Sequence, residues 1–235
     1  MDFYFKLLDY FPIVSDSCTS INKVRKFTTR YDKNIGKHRL NALAGYSWQY
    51  DDYKYFSAYN RDFPNYFFGT NNLGLGRALK EGNASMSSSR EDSRLIGFFG
   101  RISYGYDNRY NVLVSFRREG STKFGENNKW GNFPSVSAGW NIHNEDFMRN
   151  VGWISELKLR AGFGITGVIP EDSYMSLTRY DYDGYYFSNG EWLPGMSIAS
   201  NPNPYLKWEK SKEFNVGLDA QFLGGRLGYG LHLLP

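Results

Sequence analysis

Apolar and polar residues alternate with period two through most of this 235-residue chain, and that pattern restricts its fold more than any other feature. Leu40, Ala42, Ala44, Tyr46, Trp48 and Tyr50 alternate with Arg39, Asn41, Gly45, Ser47 and Gln49. Phe98, Gly100, Ile102, Tyr104 and Tyr106 alternate with Arg101, Ser103 and Gly105. Tyr110, Val112, Val114 and Phe116 do so with Asn111, Leu113, Ser115 and Arg117. Similar runs cover 135–142, 157–165 and 214–222. Successive strand side chains point to opposite faces, so each run reads as a strand with one apolar and one polar face. A helix needs spacings of three and four, which these runs do not supply. Weaker strands near Val24–Asp32 and Arg226–Leu234 bring the expected number to about eight.

A soluble sandwich shows the same alternation, with its apolar faces turned inward. Connection length separates the two architectures. The links near Asn34–Gly36, Asp107–Arg109 and Gly224–Gly225 are short. Those over about 57–93, 121–132 and 167–205 are long, and "NEDFMRNVGW" is intermediate and carries a helical turn. Short and long links alternate, as in an up-and-down membrane barrel with short turns on one side and long loops on the other. Polar faces rich in Gly, Ser, Asn, Gln, Arg and Asp suit a wet lumen. Tyr104, Tyr106, Tyr110, Trp140 and Trp208 near strand ends suit interfacial aromatic girdles. The fold class is therefore all-β: antiparallel up-and-down strands, about eight of those of a large transmembrane barrel.

Composition agrees. Aromatics make up 18% of residues and glycines number 25, which favours strands and tight turns. Mean hydropathy is −0.56 and no apolar run is long enough for a membrane-crossing helix, a fact with no bearing on barrel strands. The net charge of +4 is scattered rather than gathered in a run, so no nucleic-acid partner is implied. Cys18 stands alone, and His38, His143 and His232 lack ligand spacing, so no metal or cofactor site is expected. The acidic pairs Asp51–Asp52, Glu91–Asp92, Glu145–Asp146 and Glu171–Asp172 read as solvated link charges. No nucleophile elbow, P-loop or dinucleotide fingerprint occurs, so no enzyme is expected.

The stretch Phe99 to Gly167 holds an unusual motif: "RREGS" at Arg117, Arg118, Glu119, Gly120 and Ser121, then Phe124–Gly125, "NNKWG" ending at Trp130 and Gly131, and "FPSVSAGW" from Phe133, Pro134 and Ser135 to Gly139 and Trp140. It resembles the barrel region of SusC/RagA-type TonB-dependent outer-membrane transporters of Bacteroidetes. "GKHRLNALAGYSWQ", "ELKLRAGFGITG" and "NPNPYLKWEKSKEFNVGLDAQFLGGRL" resemble other strands of that barrel. Residues 23–235 are thus expected to be a partial barrel, with residues 1–22 unassigned.

The resemblance implies an outer-membrane location and active uptake of oligosaccharides or peptides. It also implies outer-membrane lipid around the strands, a SusD-type surface lipoprotein over the mouth, and a TonB complex engaged through an N-terminal region. The motif would be scaffolding at a loop and its strand roots: "RREGS" a turn, Gly131 a residue of unusual dihedrals, and Pro134 the start of a strand. The aromatics Tyr180, Tyr182, Tyr185, Tyr186 and Trp192 share the longest link with Asp181, Asp183 and Glu191 and are candidates for sugar stacking. "MDFYFKLLDYFPIVSDSC" does not read as a signal peptide, and "GYGLHLLP" stops in mid-strand. The expectation is a fragment that does not transport by itself. Two other readings fit the alternation: a small eight-stranded barrel of adhesin or assembly type, and a soluble carbohydrate-binding sandwich.

Overall fold

The structure, a computed structural model, describes residues 13–65, 67 and 69–233. Residues 1–12, Leu234 and Pro235 lie outside the described residues, as do Tyr66 and Phe68, so the end of the strand expected over Arg226–Leu234 falls outside them. Ten strands form: β1 (Ile13–Ile35), β2 (His38–Asn60), β3 (Ser85–Tyr106), β4 (Tyr110–Ser121), β5 (Trp130–Asn141), β6 (Ile154–Val168), β7 (Arg179–Ser188), β8 (Glu191–Ser200), β9 (Glu209–Phe222) and β10 (Leu227–Leu233). Eight make one sheet in the order β1-β2-β3-β4-β5-β6-β9-β10, and β7 and β8 make a separate two-stranded hairpin. Each ladder with a resolved register is antiparallel.

The up-and-down order follows from the turns. Asp107 and Asn108 both adopt positive φ, 51° and 54°, which Asp and Asn tolerate better than other side chains and which matches the twist of a tight hairpin. Gly224 and Gly225 do the same between β9 and β10. The link between β5 and β6 carries two 3-10 turns, Ile142–Asn144 and Asp146–Met148. All these connections lie at one end of the sheet. The longer links of the same part of the chain, 122–129 and 169–208, lie at the other.

Strands extend further than the alternation alone showed. The strand expected near Val24 starts at Ile13, and the link expected over about 57–93 spans only 61–84, because β2 and β3 run into it. The chain divides into two units. Within the smaller, residues 13–23 and Tyr50–Asp92, Asn60 donates to the carbonyls of Leu73 (2.6 Å) and Gly76 (3.1 Å) and Arg90 meets Asp52 at 2.8 Å. Asp52 is buried there, so it is not the solvated charge its sequence position suggested.

Within the larger unit, residues 24–49 and 93–233, the sheet has the two expected faces. Ile102, Val114, Phe116, Val136 and Phe214 on the apolar face are each half-exposed and covered by no other element of the unit. On the other face Ser115 and Ser135, register partners, share a hydrogen bond of 2.7 Å. The buried apolar core is not between layers. It is a small cluster at the long-link end, made of Phe124, Phe133 and Trp208 with Leu95, Ile165, Ile169 and Leu206 against it.

Candidate functional site

The motif residues form the long-link end of the sheet. Arg117, Arg118, Gly120 and Ser121 are not a turn. They are the last residues of β4, paired with Phe99, Phe98, Ile96 and Leu95 of β3. Gly120 also faces Trp130 of β5, whose ring lies 2.9 Å from where a Cβ on Gly120 would be. Trp130 in turn stacks near Phe98 (6.3 Å between centroids) and carries the Arg118 guanidinium 5.2 Å above its ring. The glycine leaves room for the indole to lie flat across the strand, an aromatic–glycine cross-strand pair.

The link that follows folds back onto the core. Phe124 is 1% exposed and packs on Trp208 at 4.7 Å, and Phe133 meets the same indole edge-on at 5.0 Å. Trp208 donates its indole N–H to the carbonyl of Lys129 at 2.9 Å. Trp208 is thus a buried core residue and not a girdle aromatic. The sequence immediately before β9 looked interfacial only because its partners lie some 80 residues away in the chain. Gly125 donates its N–H to Leu206 O at 3.1 Å, and a Cβ there would overlap the Pro204 carbonyl. Lys123 Nζ donates to the carbonyls of Pro170 (3.2 Å) and Glu171 (2.5 Å). These contacts tie the 122–129 link to the base of the 169–208 link.

Gly131 has ordinary strand dihedrals, since its φ is not positive. Its requirement is space: a Cβ there would overlap the Phe133 ring and come within 3.1 Å of Trp208. Pro134 sits inside β5, one residue beyond the last β5–β6 pair, Ser135 with Gly164, where a missing N–H removes no bond to β6. Gly139 faces Asn111 on the polar side, and Trp140 belongs to the opposite end of the sheet.

There, at the short-turn end, Trp140 donates to Glu145 Oε1 at 2.9 Å, and Tyr110 donates to the same oxygen at 2.6 Å. Arg109 reaches Glu145 at 3.1 Å, Asp146 at 3.1 Å and Asp107 at 3.4 Å. The hydroxyl of Tyr110, then the indole of Trp140, hold the Glu145 carboxyl below the ordinary carboxylate range. Asp107 is lowered likewise by Lys37, which lies 2.9 Å away. Glu145 is 8% exposed, so it too departs from the solvated role read from the sequence. The rings of Tyr106, Tyr110 and Trp140 follow one another along the apolar side of this end, at 6.5 and 6.4 Å.

The aromatic link is an ordered hairpin rather than a loop. Asn189 and Gly190, φ 51° and 88°, form its turn, and the Asn-Gly dipeptide was a readable signal for it. Tyr180, Tyr182, Tyr185 and Phe187 pair with Ile198, Met196, Pro194 and Trp192. These eight share one face, and every one of them is exposed. Tyr186 pairs with Leu193 and Asp181 with Ser197, on the other face. The structure therefore separates the Tyr180, Tyr182, Tyr185 and Trp192 face from Asp181 and Tyr186. A sugar-stacking site needs flat rings flanked by hydrogen-bonding groups, and this face offers only the tyrosine hydroxyls.

Among the described residues no group of histidines, cysteines or carboxylates could hold a metal ion. His38 lies tilted against Tyr106 at 4.9 Å, His143 meets the backbone of Leu157, and His232 lies beside Arg160. The three are apart.

Comparison with known proteins adds to this geometry. The family model described as "TonB dependent receptor-like, beta-barrel" matches residues 8–233. TonB-dependent receptor P39 of Formosa agariphila is 34% identical over 199 residues, 84% of this chain and 18% of that protein. TonB-dependent receptor SusC of Bacteroides thetaiotaomicron is 41% identical over 142 residues, 58% of this chain and 14% of that protein. The structure of the RagAB peptide transporter aligns with a TM-score of 0.83 at 27% identity, over 93% of this chain and 24% of that one. The chain spans less than a quarter of the length of the relatives it matches.

Proposed function

This chain belongs to the TonB-dependent receptor-like β-barrel family, and from that premise we propose that it forms part of the wall of an outer-membrane transporter that takes up oligosaccharides or peptides. The family is one of receptors and transporters rather than enzymes. The observation that carries the reading is the uncovered apolar face of the sheet between two aromatic ends. Trp130 and Trp140 lie on the apolar face of β5, about 33 Å apart along the strand. A strand tilt of roughly 40° reduces that to about 25 Å, the height of the apolar band of an outer-membrane barrel. Outer-membrane lipid is then the partner of Val112, Val114, Phe116, Val136 and Phe214, and the polar face lines the lumen.

The structure aligns almost equally with the RagAB peptide importer in its 'closed-closed' and 'open-open' states, at TM-scores of 0.82 and 0.81. That supports a role as fixed wall rather than moving part. The long-link end faces outward on this reading. The exposed face of β7 and β8 is the surface we assign to a SusD-type lipoprotein, because two strands alone are marginally stable and aromatic, charge-poor faces favour protein contact. Coupling to TonB would run through parts of the transporter outside this segment. In the eight-stranded order β1 and β10 stand at the edges, which speaks against a self-closed small barrel.

The test is refolding of the 235-residue chain with and without detergent micelles. The expected result is a monodisperse β-sheet species only in micelles. A monodisperse folded species in plain buffer would overturn the reading in favour of a soluble sandwich.

A further inference from the structure

We propose that the polar face next to the short turns carries a binding strip for carboxylates, and that the solutes meeting this wall include acidic ones. The inference rests on the reading of that face as the lumen. One row across the sheet alternates large and absent side chains: Arg39, Asn111, Arg160 and His232 are separated by Gly105, Gly139 and Gly217. The register sets Gly105 opposite Asn111, Asn111 opposite Gly139, Gly139 opposite Arg160, and Gly217 opposite both Arg160 and His232. Arg39 Cβ lies 3.8 Å from where a Cβ on Gly105 would be. A Cβ on Gly217 would stand 2.9 Å from Arg160 Nε, and one on Gly139 would stand 3.6 Å from Lys158 Cε. The long side chains lie down over glycines, so their heads sit close to the sheet and the space above stays open. Glycine in a strand interior costs stability, and close approach by another group is one of the things that offsets it.

The space above the row is lined by four cations and one carboxylate, Asp107. Two adjoining cavities of about 310 Å³ each share Asn111. Lys37 and Arg39 line one, Lys158 and Arg160 the other, with Asn108 and Asn215 as further amides. The carboxylates within reach are already answered. Asp107 takes Lys37 and Arg109, and Asp219 takes Arg160 through two contacts of 3.0 and 3.2 Å. Arg160 Nη2 also lies 2.9 Å from a ring nitrogen of His232. Among the described residues Arg39 donates only to the side chain of Asn108, at 3.2 Å, and Lys158, opposite Asp219 in the register, forms no salt bridge with it because Asp219 is engaged by Arg160. Two cations and the amides Asn111 and Asn215 therefore face open space with donors to spare. A carboxylate is the complementary group, from the side chains and C-terminus of a peptide or from a uronic-acid sugar.

Calorimetric titration of the 235-residue chain in zwitterionic micelles tests this. Tetraglutamate and trigalacturonate carry the carboxylate, and tetraglutamine and maltotriose are their neutral counterparts. The acidic ligands should bind at least about tenfold more tightly than the neutral ones. The double variant Arg39→Gln/Lys158→Gln should lose about that factor, Lys158→Arg should keep most of it, and Lys123→Gln at the other end should change nothing. Binding of one acid and not the other supports the strip and identifies its source as peptide or uronide. Equal binding of acidic and neutral ligands, no binding of either acid, or full affinity in the double variant would overturn it. None of those outcomes touches the transporter reading, which falls only if the chain folds without detergent.

Discussion

The two ends of β5 hold their tryptophans and neighbours in opposite ways. At the long-link end Phe133 and Trp208 meet inside a small neutral core whose closest approaches are made possible by Gly125 and Gly131. At the short-turn end Trp140 sits at the surface and is fixed through its N–H to Glu145, which also serves Tyr110 and Arg109. The first end owes its order to packing, where a lost ring leaves a void. The second owes it to a carboxylate at the centre of donors, where the loss depends on protonation. The difference teaches that one sheet can be closed off by two unlike devices, each suited to what its link must do. Long links need a core of their own to be ordered. Tight turns have no room for one and are tied by charge.

If that contrast holds, the ends should fail separately. Trp208→Ala should have the largest effect, about 3–5 kcal/mol in denaturant unfolding in micelles. Hydrogen exchange should rise over 121–133 and 203–208 and stay unchanged over 107–110 and 141–149. A rise at both ends would show that they melt together. Gly125→Ala should reproduce the same exchange pattern at about 1–3 kcal/mol, since the added methyl must push away the Pro204 carbonyl.

Glu145→Gln sharpens the other side. The folded carboxyl sits below its ordinary range because Tyr110 and Trp140 donate to its charged form. Its contribution is therefore complete at neutral pH and disappears as pH falls through the folded value, below the ordinary carboxylate range. The wild-type chain should lose short-turn protection in that range, and the Gln variant should lack that step while keeping the long-link core. An unchanged acid profile in the variant would remove Glu145 from the centre of this end. Trp192→Ser on the hairpin should have the smallest effect, within about 0.5 kcal/mol, because its ring is exposed. A larger loss would mean that the hairpin face is already covered in the isolated chain.

Much of the sheet was legible beforehand because strand alternation is local. Val112 and Val114 face one way and Asn111 and Ser115 the other whatever the rest of the chain does. The turn at Asp107–Asn108 and the glycine pair at 224–225 are equally local in cause. The β7–β8 hairpin has one local signal, the Asn189-Gly190 turn, and its tyrosine-rich strands do not alternate apolar with polar residues as the wall strands do. The "RREGS" segment was read as a turn from its charges and glycine, but Gly120 is there for Trp130 across the strand.

By itself, the sequence determined the strands, their two faces, the alternation of short and long links, and a motif specific enough to point to the family. Those rest on period, turn chemistry and residue order, which neighbours along the chain establish. Only the tertiary structure decided that Trp208 is core, that Gly131 is needed for space, that Glu145 is buried, and that Arg39, Asn111 and Arg160 share a row with glycines between them. Each of those depends on register between strands distant in sequence, and register is set by the pairing of the whole sheet.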